Sequence, residues 1–215
     1  MILHLETATK VCSVALSNEG RLLAEKSSNT EHYSHAENLT VFIEEVIKLG
    51  NIEFKDLNAI SVSSGPGSYT GLRVGVSTAK ALCYALEIPL IGIDSLVSIA
   101  AQMQEKWPNK KLLPMIDARR MEVFCALYYN NLKTIRPISA EIIDESSFSD
   151  IGEFVIAGDG IAKLKEIWGN RNEIIFENEI LSNAKGQVNI AFEKYKKEDF
   201  EDVAYFEPFY LKEFK

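Results

Sequence analysis

The densest concentration of chemistry-bearing residues is Ser63-Ser64-Gly65-Pro66-Gly67-Ser68-Tyr69-Thr70-Gly71-Leu72-Arg73-Val74-Gly75. It follows the apolar, partly β-branched run Ala59-Ile60-Ser61-Val62 and precedes a helix-compatible stretch, so it reads as strand, tight glycine loop and helix start. The hydroxyls of Ser68 and Thr70 stand where they can accept bonds from first-turn N–H groups. Unpaired N–H donors and the positive end of a helix dipole attract anions, which makes Ser64, Gly65, Gly67, Ser68 and Thr70 candidate contacts for a phosphate or carboxylate. The loop has neither the Gly-Lys-Ser/Thr ending of a P-loop nor the glycine spacing of a dinucleotide fold. A tight turn with a good cap is the plainer alternative.

Other clusters are sparser. Glu6-Thr7-Ala8-Thr9 places a carboxylate and hydroxyls at a strand end, able to hold a phosphate or a metal-bound water, or to make turn hydrogen bonds. His32 and His35 lie three apart, but a metal site usually needs three or four protein ligands and no third candidate is evident. No Gly-x-Ser-x-Gly elbow is present, and Cys83 and Cys125 fall in mid-element. Asp117 beside Arg119 is either a strand-end acid or a turn brace. The residues therefore predict no catalytic set and no metal site.

These groups are positioned by a recognisable order of elements. Ile2 to Leu5, Val11 to Leu16 and Leu22 to Lys26 form an antiparallel meander, and Leu39, Phe42, Ile43, Val46, Ile47 and Leu49 mark an amphipathic helix over 35–49. A strand at 59–63, the glycine-loop helix, a strand at 89–93 and a helix from about 96 to 106 capped by Ser95 follow. Trp107-Pro108-Asn109-Lys110-Lys111 suggests a boundary between a first lobe, 1–106, and a second lobe, 107–215. The second lobe reads as strands at 112–116, 122–129 and 132–139, then a strand, Gly158-Asp159-Gly160 and a short helix, then a helix near 184–196. The aromatic tail Tyr205-Phe206-Glu207-Pro208-Phe209-Tyr210-Leu211 is expected to dock on a lobe. The two halves share this ordering without a fixed-period repeat.

Gly71, Gly75, Ala79 and Cys83 recur every four residues and make a small-residue ridge along the second helix. Glycine within a helix costs about 0.8–1.0 kcal/mol relative to alanine, so the ridge calls for a closely approaching neighbour, in this chain or another. The 23 basic and 31 acidic residues leave a net charge of −8, which argues against gripping nucleic acid by electrostatics alone. Three scattered cysteines, no signal-peptide pattern and no membrane-length apolar run give the expectation of a cytoplasmic protein.

Ser64 to Gly75 resembles the G-P-G-S-[FY]-T-G-[LV]-R-[IV]-G hallmark of the TsaB (YeaZ) family. Other stations agree in order: Leu5-Glu6-Thr7-Ala8-Thr9 with Cys12 to Leu16, His35 to Leu39, Ile93 to Leu96, Asp117-Ala118-Arg119 with Glu122-Val123-Phe124, Gly158-Asp159-Gly160 and Pro208 to Leu211. The resemblance implies an α/β, two-lobed actin/hexokinase-like (ASKHA) fold with mixed sheets and a reduced second lobe. It implies a non-catalytic subunit in N6-threonylcarbamoyladenosine formation on tRNA that pairs with TsaD, recruits TsaE, forms a homodimer without TsaD and meets tRNA only indirectly. No cofactor is expected on this chain alone, with ATP or ADP allowed at a junction between subunits. Partner contacts are expected from His35, Leu39, Phe42, Ile43, Val46, Gly71, Leu72, Arg73, Gly75 and Ala79. The family usually carries Asp where this chain has Glu6, and the His-x-x-x-His metal pair of the catalytic relative is missing. The alternatives are an ATP-dependent phosphotransferase or a peptidase of the same fold using Glu6, Thr9 and the glycine loop, and a plain anion-binding module.

Overall fold

The computed structural model describes residues 1–29 and 35–212. Strands β1 (Ile2–Glu6), β2 (Val11–Asn18) and β3 (Arg21–Asn29) form the expected antiparallel meander. Glu19 and Gly20 both take positive φ, the turn that matches the twist of a two-residue hairpin. Helix α1 (His35–Leu49) leads to β4 (Ala59–Gly65), parallel to β1, and helix α2 (Tyr69–Leu86) leads to β5 (Leu90–Asp94), parallel to β4. The sheet order is β3-β2-β1-β4-β5.

Helix α3 (Ser95–Lys106) then carries the chain to a second sheet. Its cap is Asp94 rather than Ser95: the Asp94 carboxylate accepts the N–H groups of Leu96 and Val97 at 2.7 and 3.1 Å, which a strand-end Asp performs with its longer side chain. Strands β6 (Lys111–Asp117), β7 (Glu122–Tyr128) and β8 (Thr134–Ile142) form another antiparallel meander. Strands β9 (Phe154–Ala157) and β10 (Ile174–Glu177) add to it in parallel, giving β10-β9-β6-β7-β8. Between them lie a 3-10 turn (Asp159–Leu164) and the short helix α4 (Lys165–Trp168). A 3-10 turn (Ala184–Gln187) and helix α5 (Val188–Lys196) close the regular structure.

Each sheet is covered on both faces. Leu39, Ile43, Val46 and Ile47 of α1, with Val76, Ala79 and Cys83 of α2, pack on Leu3, Leu5, Val14, Leu16, Ile60 and Val62. Leu96, Ile99, Ala100 and Met103 of α3 pack against Leu112, Ile116, Phe124 and Val155 of the second sheet. Helix α5 returns to the first sheet, where Ala191 meets Ile2, Ile91 and Ile93. The chain therefore crosses between lobes at residues 94–95 and again after β10, so a single cut at 107 does not separate the packing units. No helix among the described residues is long and apolar enough to cross a membrane.

Candidate functional site: the glycine loop, its helix and the lobe junction

The glycine loop is clasped by its own chain. Gly65 has φ +113, and a Cβ there would collide with the carbonyl of Phe209, whose N–H donates to Ser64 O at 2.7 Å. The Ser68 N–H donates to Ala8 O at 2.6 Å, a Cβ on Gly67 would run into the same carbonyl, and Ser68 Oγ accepts the Gly71 N–H at 3.3 Å as the cap of α2. Thr70 is exposed in the first turn. The predicted anion cradle is corrected accordingly. Of its five residues, Ser64, Gly65, Gly67 and Ser68 face backbone of this chain, because the 7–10 turn and the tail close on the loop from either side.

The Glu6-Thr7-Ala8-Thr9 turn completes the clasp. Thr7 Oγ1 donates to Gly71 O at 2.7 Å, and a Cβ on Gly75 would collide with that same hydroxyl. Glu6 is fully buried; its carboxylate accepts the Ala8 N–H at 2.7 Å and the hydroxyl of Ser63. Burial pushes its carboxyl up from the ordinary range, and these two bonds act against that rise. The group is thus held by its own neighbours.

A polar seam continues from Glu6 over one face of the first sheet. His4 lies between Ser61 Oγ (2.6 Å from Nδ1) and Ser17 Oγ (2.8 Å from Nε2), and burial lowers its pKa to about 3. Gln187 Nε2 donates to Leu5 O at 2.9 Å and to Ser63 Oγ at 3.1 Å, while its Oε1 accepts from Ser61 Oγ at 2.7 Å. Sequence reading missed Ser13, Ser17, Ser61, Asn183 and Gln187. A signal existed: His4 and Glu6, Ser13 and Ser17, and Ser61 and Ser63 fall at even spacings on three strands, which puts them on one pleated face.

The predicted partner residues divide. Leu39, Ile43, Val46, Gly71, Leu72, Gly75 and Ala79 are buried inside the first lobe, so direct partner contact is corrected for all seven: the small ridge lets α2 seat against the 7–10 turn and β4. Phe42 is half-buried against the same core. Arg73 is exposed, with its guanidinium 4.1 Å from the Tyr69 ring and Nε donating to Tyr210 Oη at 3.3 Å. His35 is placed as the first residue of α1 only, and His32 lies outside the described residues. The outward side of the helix pair carries Val41, Leu49, Ala81, Tyr84 and Ala85, with Tyr84 83% exposed.

In the second lobe, Asp117 braces its turn: its Oδ1 accepts the Arg119 N–H at 3.1 Å and pairs with Lys163. Asp159 Oδ1 accepts the Asp117 N–H at 3.0 Å, and burial pushes its carboxyl up. A cleft of about 500 Å³ between the lobes is lined by Thr9, Lys10, Val11, Asp159, Lys165 and Asn178 among others. All three cysteines are buried, with thiols pushed up to about 12 by burial. No cluster of three or more His, Cys, Asp or Glu among the described residues is placed to hold a metal. The tail docks through Phe206 on the first lobe and Tyr210 on Tyr69, whose rings lie 4.8 Å apart, while Tyr205 at 83% and Phe209 at 46% remain exposed against expectation. Lys80 holds it by donating to Ala204 O and Phe206 O at 3.1 and 3.0 Å.

The model of the TsaD family, tRNA N6-adenosine threonylcarbamoyltransferase, matches residues 23–165. The tRNA threonylcarbamoyladenosine biosynthesis protein TsaB of Buchnera aphidicola subsp. Acyrthosiphon pisum is 30% identical, over 87% of this chain and 82% of its own. The chain belongs to the TsaB (YeaZ) family. The TsaB of Escherichia coli is 28% identical, over 98% of this chain and 94% of its own. YeaZ from Pseudomonas aeruginosa superposes with a TM-score of 0.85 at 21% identity, over 98% of this chain and 99% of that one. The more distant polyphosphate/ATP-glucomannokinase of Arthrobacter superposes at 0.52 and 11% identity, over 91% of this chain and 98% of its own. The TsaB-family chain therefore has the expected two-lobed ASKHA-like fold.

Proposed function

We propose that this chain acts in N6-threonylcarbamoyladenosine formation on tRNA as the non-catalytic partner subunit of a TsaD transferase, docking through the outward side of α1 and α2. The observation that carries this reading is the contrast between the two sides of that helix pair. The inward side is largely buried, whereas the outward side leaves Val41, Leu49, Ala81, Tyr84 and Ala85 uncovered. Family membership supports the pathway, and the match to the TsaD family model is in keeping with a TsaD partner. Recruitment of TsaE to the pair, pairing of two copies through the same helices when TsaD is absent, and a cytoplasmic location belong to this reading. The net charge of −8 suits a subunit that leaves tRNA contact to its partner.

The non-catalytic role is supported by the hydrogen bonds that hold Glu6 and by the closure of the glycine loop on backbone of this chain. The same contacts favour no nucleotide on the isolated chain, with ATP or ADP restricted to a junction between subunits. Titration calorimetry of the chain with TsaD tests the proposal. Ala81→Arg combined with Tyr84→Asp should weaken pairing at least tenfold while leaving the fold intact; unchanged affinity would sink the docking face. Micromolar ATP–Mg²⁺ binding with turnover by the chain alone would favour the phosphotransferase reading instead.

A further inference from the structure

Residues 180–187 touch both lobes at their junction. On the second-lobe side the Gly158 N–H donates to Ile180 O at 3.0 Å. From α3, which is seated on the second sheet, Gln102 Nε2 donates to Leu181 O at 3.1 Å and Ser98 Oγ to Asn183 O at 3.4 Å. On the first-lobe side Ser13 Oγ donates to Asn183 Oδ1 and accepts the Ala184 N–H, both at 3.1 Å. Gln187, with no exposed surface, reaches β1 and β4 through Leu5, Ser61 and Ser63. Gly186 allows the close seat, since a Cβ there would run into Ser98 O of α3.

We propose that residues 180–187 are an interlobe lock that holds the two sheets at one fixed angle, so that the chain moves as a single rigid body. Opening the junction would strand several buried donors and acceptors together, and buried polar groups without partners are costly. The lobes therefore have one closed arrangement instead of a continuum of angles. The tail also bridges the lobes, through Leu211 packed against the second-lobe core and through the ion pair of Lys212 with Glu122, a part-solvated pair that contributes little.

The test is the distance between nitroxide labels on Ser27→Cys and Glu141→Cys, exposed positions of β3 and β8, measured in the full chain by pulsed electron paramagnetic resonance. The native cysteines are buried, which leaves the introduced pair to take the label. The otherwise unaltered chain should give one narrow distance distribution. Ser13→Ala with Gln187→Ala should at least double its width. Ser13→Ala alone, a small change that preserves the fold, should broaden it by a lesser amount. A broad or multiple distribution without the lock substitutions, or variants that stay as narrow as the parent, would overturn the lock.

Discussion

In the first lobe the chain passes from β3 towards β4 through the 15-residue helix α1, whereas in the second it passes from β8 to β9 through residues 143–153 with no helix. The strand plans are otherwise the same: a meander of three antiparallel strands, then two strands added in parallel, with a glycine turn after the first of them. The second lobe seals its sheet with aromatic rings. Trp168 meets Phe154 and Phe148 edge-on with centroids 6.4 and 6.1 Å apart, and its Nε1 donates to Asp144 O at 2.8 Å. Asp144 orders that connection by accepting the N–H groups of Ser146 and Ser147, and hydrogen bonds led by the Ser146 hydroxyl hold its carboxyl below the usual range. A long helix presents a regular outer side, so the exposed face of α1 and α2 that we propose for docking has no helical counterpart in residues 143–153.

The lobes differ also in what they bury, and this can be broken experimentally. The largest effect is expected from His4. Its folded pKa of about 3 lies below the ordinary 6.5, so the unfolded chain takes up a proton first as pH falls. Stability present above about pH 6.5 is then lost progressively down to about pH 3, on the order of 4–5 kcal/mol, and His4→Gln should flatten that loss in urea unfolding measured against pH. Asp94 acts in the opposite sense. Its folded pKa of about 6 against 3.8 makes stability fall as pH rises through that window, and Asp94→Asn, which keeps the cap, should remove this slope.

Next comes the aromatic seal: Trp168→Ala should cost about 3–5 kcal/mol, and a loss below about 1 kcal/mol would show that the rings do not stand in for a helix. Gly75→Val should cost about 1–3 kcal/mol through its clash with Thr7, measured by thermal unfolding, and an unchanged melting temperature would remove the ridge as an internal packing device. The smallest effect belongs to Tyr210→Ala, which should speed hydrogen exchange at the Phe209 amide with little change in global stability.

Local pattern made much of this legible. The period-2 runs of the meander, the apolar stripe of α1 and the strand–glycine–helix order at 59–86 stand close to where residue types place them, because short-range periodicity dictates them. Small residues at Gly71, Gly75 and Ala79 announced a close approach but not its object, since Thr7 lies 64 residues before Gly71. Ser95 looked like the cap of α3 by residue type, and only the backbone geometry at the end of β5 gives that role to Asp94. Gln187 and Asn183 were opaque for the same reason: each answers polar groups more than a hundred residues away.

That distance has a consequence for biogenesis. The first sheet is complete in sequence by Asp94, yet one of its faces is covered by residues 184–196 and its glycine loop by Phe209. During synthesis, with the N-terminal part emerging first, this sheet keeps an uncovered face until residues 184–209 have also left the ribosome. Truncation just before Ala184 should therefore expose the first lobe to proteases, although it deletes none of its strands.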